Sequence, residues 1–334
     1  MKLIGRVNPA RALLAAVLAA VSIGAGAQEE KHFRFAHDQQ LNSGYSVAYE
    51  LFSAKLKDLS GGKMLVDQYP GAQLGQEPQL LQLVKSGDLD FAIVSSANTA
   101  TISPQAGVMS LHFLFRSPEH VIKALGDVKV YEAIRDMIDQ TTQGIHVIGL
   151  GTQGVRNLYG KKEINKLEDL KGLKVRVQAT ATEDTMFPAY GAQTVHMPFG
   201  SVYTSLQTGV VDFAENSINV YLINKHYEVA PVLSISEHEA NNAILWISDK
   251  LWQGLTADQK KWVLAAGRDV STMEPAKAFE LEGQALAKIK SIGIKVVATD
   301  KSGFQKIADP YLDKLAKDLG PHAEKVKGLI RAID

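Results

Sequence analysis

The chain has no cysteine, which excludes disulfides, thiol chemistry and a lipid-modified N-terminal cysteine. It also lacks an excess of either charge, since 36 Lys and Arg stand against 36 Asp and Glu. Nucleic acid and anionic membranes select clustered positive charge, so neither is expected as a partner. Enzymatic signatures are missing too. There is no Gly-x-Ser-x-Gly elbow, no His-Glu-x-x-His, no Gly-x-x-x-x-Gly-Lys-Ser/Thr phosphate loop and no Gly-x-Gly-x-x-Gly opening a helix. The nine histidines are scattered without zinc-ligand spacing, so no metal or other cofactor is expected and the chain does not read as an enzyme.

What is present begins at the N-terminus. Lys2, Arg6 and Arg11 precede an apolar run from Ala12 to Ala25, closed by the small-residue site Ala25-Gly26-Ala27. That is the pattern of a secretory signal peptide cleaved near Ala27, and it points to a soluble periplasmic protein. The run falls short of the roughly 20 apolar residues a membrane anchor needs. Removing 27 of 334 residues leaves 307, with 33 Lys and Arg against 36 Asp and Glu. A chain of that length, 46% hydrophobic and 22% charged, is too apolar for disorder and long enough for about two domains.

Strand-like and helix-like stretches alternate, the grammar of an α/β fold. "KHFRFAHD" reads as a strand with Phe33 and Phe35 on one face, "YSVAYELFSAKLKDLSGG" as a helix, "KMLVDQYP" as a strand, "QEPQLLQLVKSG" as a helix and "DLDFAIVSS" as a strand. Further on, "GIHVIGLGTQGVRNLYGKK" is a strand pair or one long strand, "LKVRVQ" a short strand, and "TEDTMFPAYG" a helix interrupted near Pro188. "LVKSGDLDFAIV" and "SLQTGVVDFAEN" echo one another, with Gly87 and Gly209 as left-handed helix stops before Asp-Phe-Ala. Such an echo suits two similar lobes. After residue 242, "NAILWIS" is a strand, a helix capped by Thr256 runs to about Ile292, "IKVVATD" is a strand, and two helices finish the chain. At 1.5 Å per residue the long helix spans about 50 Å and can brace both lobes. The expected lobes are 28–153 plus 242–281 and 154–241 plus 282–334, joined at a hinge.

Two arginines carry the functional argument. Arg156 and Arg176 each sit among apolar neighbours, where a guanidinium needs a partner. That partner is either an internal Asp or Glu or the carboxylate of a ligand, which the planar fork of Arg meets with two parallel hydrogen bonds. In "LKVRVQ" Val175 and Val177 share one face while Arg176 and Gln178 share the other, near a strand end where open α/β sheets bind ligands.

The blocks "DLKGLKVRVQ", "MPFGSVYTSLQTGVVDFAEN" and "YPGAQLGQEPQLLQLVKSGDLDFAIVSS" resemble the DctP-type solute receptors of tripartite ATP-independent periplasmic (TRAP) transporters over essentially the whole mature chain. The resemblance implies a two-lobed α/β binding protein that delivers a carboxylated small molecule to a TRAP membrane permease. It gives Arg176 the bidentate bond to the carboxylate, Arg156 a supporting role and Asn216 a ligand contact. Gln178 and His238, in "SISEH", are similar to the branch that binds uronates and related sugar acids, although Ser217 stands where that branch often has a second Asn. His37, Asp38, Glu77, Ser95 and Asn98 are the expected hydroxyl contacts. A C4-dicarboxylate or other organic acid is the alternative, favoured if Arg156 also points at the ligand.

Overall fold

The computed structural model describes residues 30–334; the expected signal peptide lies outside the described residues. The chain begins with β1 (Lys31–Ala36), α1 (Gly44–Leu59), β2 (Met64–Tyr69), α2 (Glu77–Ser86) and β3 (Phe91–Ser95). Phe33 and Phe35 share one buried face and pack with Phe52 of α1, as alternation along a strand requires. Residues between 96 and 144, not assigned from the sequence, form α3 (Ser96–Thr99), a 3-10 turn (Pro104–Ser110), α4 (Pro118–Gly126) and α5 (Val128–Asp139).

One long strand, β4 (Ile145–Gly160), leads into β5 (Lys174–Val177), α6 (Ala181–Ala189), β6 (Gln193–His196), α7 (Val202–Thr208), β7 (Phe213–Asn216) and α8 (Ile218–Ile223). Pro188 falls in the last turn of α6 and ends that helix within one residue. Gly87 and Gly209 close α2 and α7 in the left-handed conformation, with φ of 76° and 75°. The last segment holds β8 (Val232–Ser248), α9 (Asp249–Gly254), α10 (Ala257–Ser291), β9 (Lys295–Ala298), α11 (Ser302–Leu319) and α12 (Pro321–Arg331). β8 therefore starts about ten residues before the apolar run "NAILWIS" that announces it.

The nine strands found among the described residues form one sheet in the order β2-β1-β3-β8-β4-β7-β5-β6, with β9 also beside β8. The antiparallel pair β4 and β8 is common to both lobes. The 243–247 end of β8 pairs with β3, and the 157–160 end of β4 pairs with β7. Between these ends the β4–β8 register slips at Thr152/Val155, a bulge that bends a strand locally. The last two helices, which the expected split places in the second lobe, pack on segments between 104 and 189. α12 packs on α5 and on the Pro104–Ser110 turn, while α11 touches both that turn and α6.

α10 is the brace that its spacing suggested. Thr256 caps it and its side chain accepts from the Gln259 N–H, with Gln259 returning the bond. The helix packs along α1, α4 and β4 of the first lobe and α8 of the second. Its contact with β4 is backbone to backbone, because a Cβ at Gly267 would stand 1.8 Å from the Ile148 carbonyl oxygen. Two buried acids fasten it. Glu274 Oε2 accepts from the Thr152 N–H at 2.9 Å and Glu282 Oε1 from the Asn219 N–H at 2.7 Å.

Two predictions follow from this brace. Gly267→Ala should cost about 2–3 kcal/mol through backbone overpacking, whereas Gly283→Ala, which meets nothing within 4 Å on the same helix, should be neutral or stabilising by up to about 1 kcal/mol. Urea unfolding midpoints of the two variants check this. Burial pushes the Glu282 carboxyl from 4.5 up to about 8. The folded state then holds more protons than the unfolded state between those values, so stability falls as pH rises through that window, by up to about 1.4 kcal/mol per pH unit from this group. In Glu282→Gln the slope of stability against pH should be correspondingly shallower.

Candidate functional site

β5 presents Val175 and Val177 to the apolar core and Arg176 to the other face, where the guanidinium is 3% exposed. Its Nε and one terminal nitrogen donate to the Met197 carbonyl at 3.2 and 2.8 Å, and the Phe199 ring lies beneath it, centroid 6.0 Å away. Among the described residues no carboxylate approaches Arg176 within 4.0 Å. Burial lowers its pKa, and the nearby Arg156 adds to this while Glu215 opposes it; an arginine this basic remains a cation.

Arg156 differs. It reaches from β4 into a buried two-point ion pair with Glu215 of β7, its Nε and a terminal nitrogen meeting the two carboxylate oxygens, while its other terminal nitrogen donates to Asn241 Oδ1 at 2.8 Å. Burial alone would lower its pKa, but the attraction of Glu215, with Glu239 behind it, raises it. Arg156 also borders the solute cavity, but with its charge paired to Glu215 it offers an acid much less than Arg176 does. Asn241 passes the order on, donating to Asn216 Oδ1 at 2.8 Å. The Asn216 oxygen also accepts from the Ser217 N–H, which leaves the amide nitrogen of Asn216 for a narrow polar cavity between the lobes.

Arg156, Arg176, Gln178, Phe199 and Asn216 line that cavity from the second lobe, and Asp38, Tyr45, Glu77, Ser95 and Asn98 line it from the first. Glu77 organises the first-lobe wall. It accepts from Tyr45 Oη, from the Ser95 N–H and Oγ–H, and from the Asn98 amide. Asp38 is freer, held by Gln39 Nε2 at 2.8 Å. Its pKa is raised well above the usual range by burial and by the charge of Glu77, against the pull of Gln39 and Arg176. Two hydrogen bonds already span the cleft: Gln178 Nε2 donates to Ser95 Oγ at 2.8 Å, and the Gly200 N–H donates to Gln76 Oε1 at 3.0 Å. The cavity continues into a wider space past Thr101, His196 and Pro198.

Two residues expected at the ligand lie elsewhere. His37 is buried behind Tyr45, ring centroids 6.0 Å apart, with its Nε2 against Gln68; burial lowers its pKa to about 4. His238 is buried on the far side of Arg156, its Nδ1 bonded to Ser236 Oγ at 2.8 Å, and it borders a different cleft. A histidine has no period that separates a cavity wall from the layer behind it.

The family model for bacterial extracellular solute-binding proteins, family 7, matches residues 35–318. The chain belongs to this family. A TRAP periplasmic solute-binding protein of Xanthobacter autotrophicus, solved with bound β-D-galacturonate, is 30% identical, has a TM-score of 0.83 and covers 90% of this chain and 100% of its own. One from Chromohalobacter salexigens, solved with bound D-glucuronate, is 28% identical, with a TM-score of 0.82 over 90% of this chain and 100% of its own. The 2,3-diketo-L-gulonate-binding periplasmic protein YiaO of Escherichia coli is 26% identical, and the match covers 97% of each chain. Family 7 proteins bind solutes outside the cytoplasm, and among the described residues no helix is long and apolar enough to cross a membrane.

Sequence reasoning missed Gln39, Tyr45, Gln153, Phe199 and Asn241, which also line this family 7 cavity. The pair Asn241-Asn242 at the edge of the apolar run of β8 was a usable signal. Tyr45 was not, because it occupies a helix position that reads equally well as core. Replacing each arginine by glutamine separates their roles. Arg156→Gln strands Glu215 in the interior and should cost about 3–5 kcal/mol, while Arg176→Gln deprives no acid and should stay within about 1 kcal/mol of the parent in urea unfolding.

Proposed function

We propose that this chain is a periplasmic receptor that captures a sugar acid, a uronate fitting best, and delivers it to a TRAP membrane permease without altering it chemically. The observation that carries this reading is Arg176, a buried guanidinium without an acid of its own, facing a polar cavity between the lobes. The solute carboxylate takes the free edge of the fork, and Asn216 adds a donor beside it. Across the cleft, Asp38, Ser95 and the acids and amides around them suit hydroxyl groups, because carboxylates accept what hydroxyls donate. Relatives with bound galacturonate and glucuronate at 30% and 28% identity support the same ligand class.

Charge counting favours a monoacid over a C4-dicarboxylate. A second carboxylate would need a second cation, and Arg156 is held by Glu215, while Asp38 and Glu77 repel an anion from the first lobe. A micromolar dissociation constant needs about 8 kcal/mol, and each charge-assisted hydrogen bond gives about 1.5–3 kcal/mol. The anchor therefore supplies part, and the hydroxyl contacts and closure supply the rest. In this reading the lobes exchange partners at Thr152–Val155 of β4 and opposite it in β8, close to the expected 153/154 and 241/242 divisions, and α10 spans the hinge.

Calorimetry with a panel of uronates, aldonates, dicarboxylates and keto acids tests the proposal. Saturable binding of a sugar acid is expected, with its loss in Arg176→Gln at unchanged unfolding midpoint. Binding that persists in that variant, or a response to neutral sugars alone, would overturn it.

A further inference from the structure

Behind the Arg156 ion pair, away from the solute cavity, lies a second polar cluster that the binding reading does not use. His112 follows the Pro104–Ser110 turn, Glu183 lies on α6, and His238 and Glu239 lie on β8. These four side chains are 1–3% exposed. With both acids ionised, His112 Nε2, His238 Nε2, both oxygens of Glu183 and Oε2 of Glu239 have no hydrogen-bond partner. Unpaired buried polar atoms are costly, and here five converge. We propose that His112, His238, Glu239 and Glu183 bind one divalent transition-metal ion of the zinc type.

The geometry suits such an ion. Donor atoms of His112, His238 and Glu239 lie within 4.8 Å of one another, and Glu183 Oε1 is 3.5 Å from His112 Nε2. Zinc bonds of about 2.0–2.2 Å set tetrahedral ligands about 3.3–3.6 Å apart, so His112, His238 and Glu239 must draw together by about an ångström, with Glu183 approaching from the His112 side. Both imidazoles are held by their other nitrogen, His112 Nδ1 by Tyr190 Oη at 3.0 Å and His238 Nδ1 by Ser236 Oγ at 2.8 Å. That outer support fixes which nitrogen is left for a metal.

Charge also fits. Arg156, placed 3.6 Å from Glu239, is paired with Glu215, and among the described residues no Lys or Arg lies within 4.0 Å of Glu183, so a cation is the partner this pair of acids lacks. An ion can reach them because His238 and Glu239 border an open cleft between Phe113, Arg116 and Lys301. The sequence hides the set, since 126 positions separate its two histidines and no ligand-spacing rule spans that distance.

The mature chain, stripped with a chelator, should take up a single equivalent of Zn2+ in competition with a chromophoric chelator. With Co2+ it should give the visible absorption of a tetrahedral site. Glu239→Gln, which keeps shape, and His112→Asn should each weaken Zn2+ by about tenfold or more, while His32→Asn, at an exposed histidine, should not. Circular dichroism establishes that each variant is folded. No saturable uptake by the parent chain would overturn the proposal, leaving the two acids to share a proton, and so would uptake that is equal in folded Glu239→Gln and His112→Asn. Because uptake is read without any solute, the result stands apart from the sugar-acid reading.

Discussion

The buried pair of Arg156 and Glu215 decides what the rest of the cleft can be. Two guanidiniums enter the same interior, and desolvation penalises both. Glu215 answers one of them completely, with Asn241 filling the remaining position. The other is left with a carbonyl and an aromatic face, partners that steady its orientation but carry no full negative charge. Specific recognition of an anion needs this asymmetry. If Glu215 were shared between both arginines, the solute would have to displace an acid of the protein, and if neither were answered the fold would carry two unpaired cations. The chain Arg156–Asn241–Asn216 also fixes which end of an amide meets the cavity, so the same pair orders a donor it never touches.

The sheet explains how such a site can be assembled from distant segments. β4 and β8 run through both lobes, and the site lies where their register slips. First-lobe contributors stand at the ends of β1 and β3 and the start of α2; second-lobe contributors stand at the ends of β5 and β7. Each lobe thus brings strand ends and a helix start to a common cleft, in keeping with the position of ligands in open α/β sheets. Gln178 and Ser95 already touch across it, so the polar walls are close enough to enclose a small solute.

Much of this was legible in the sequence because periodicity and caps report local physics. The paired βα units, the two glycine helix stops, the Thr256 cap and the brace all follow from spacing and from residues with one strong conformational preference. Arg176 was legible because a charge between two core valines is costly without a reason. The unread part is where buried polar residues imitate a loop. The first half of β8, with Ser234, Ser236, His238, Asn241 and Asn242 inside, lacks the alternation of a half-solvated strand, so the apolar run after it looked like its beginning. Arg156 was ambiguous for a related reason: its acid is supplied by a strand 59 positions away, and only tertiary structure shows that the acid is there. His37 read as a ligand contact because Asp38 beside it is one, and His238 because "SISEH" resembles a sugar-acid-binding branch, while both rings turn into the layer behind.

The contact at Gly267 locks the first half of α10 to the first-lobe part of β4. With the helix backbone against the Ile148 carbonyl, no layer of side chains intervenes that could change rotamer and let one surface glide over the other. Translation along the strand would drive the next residue's Cβ into that oxygen. A hinge between the lobes would then have to draw its bend from further along, towards Pro275, where α10 lacks an amide hydrogen and bends at least cost.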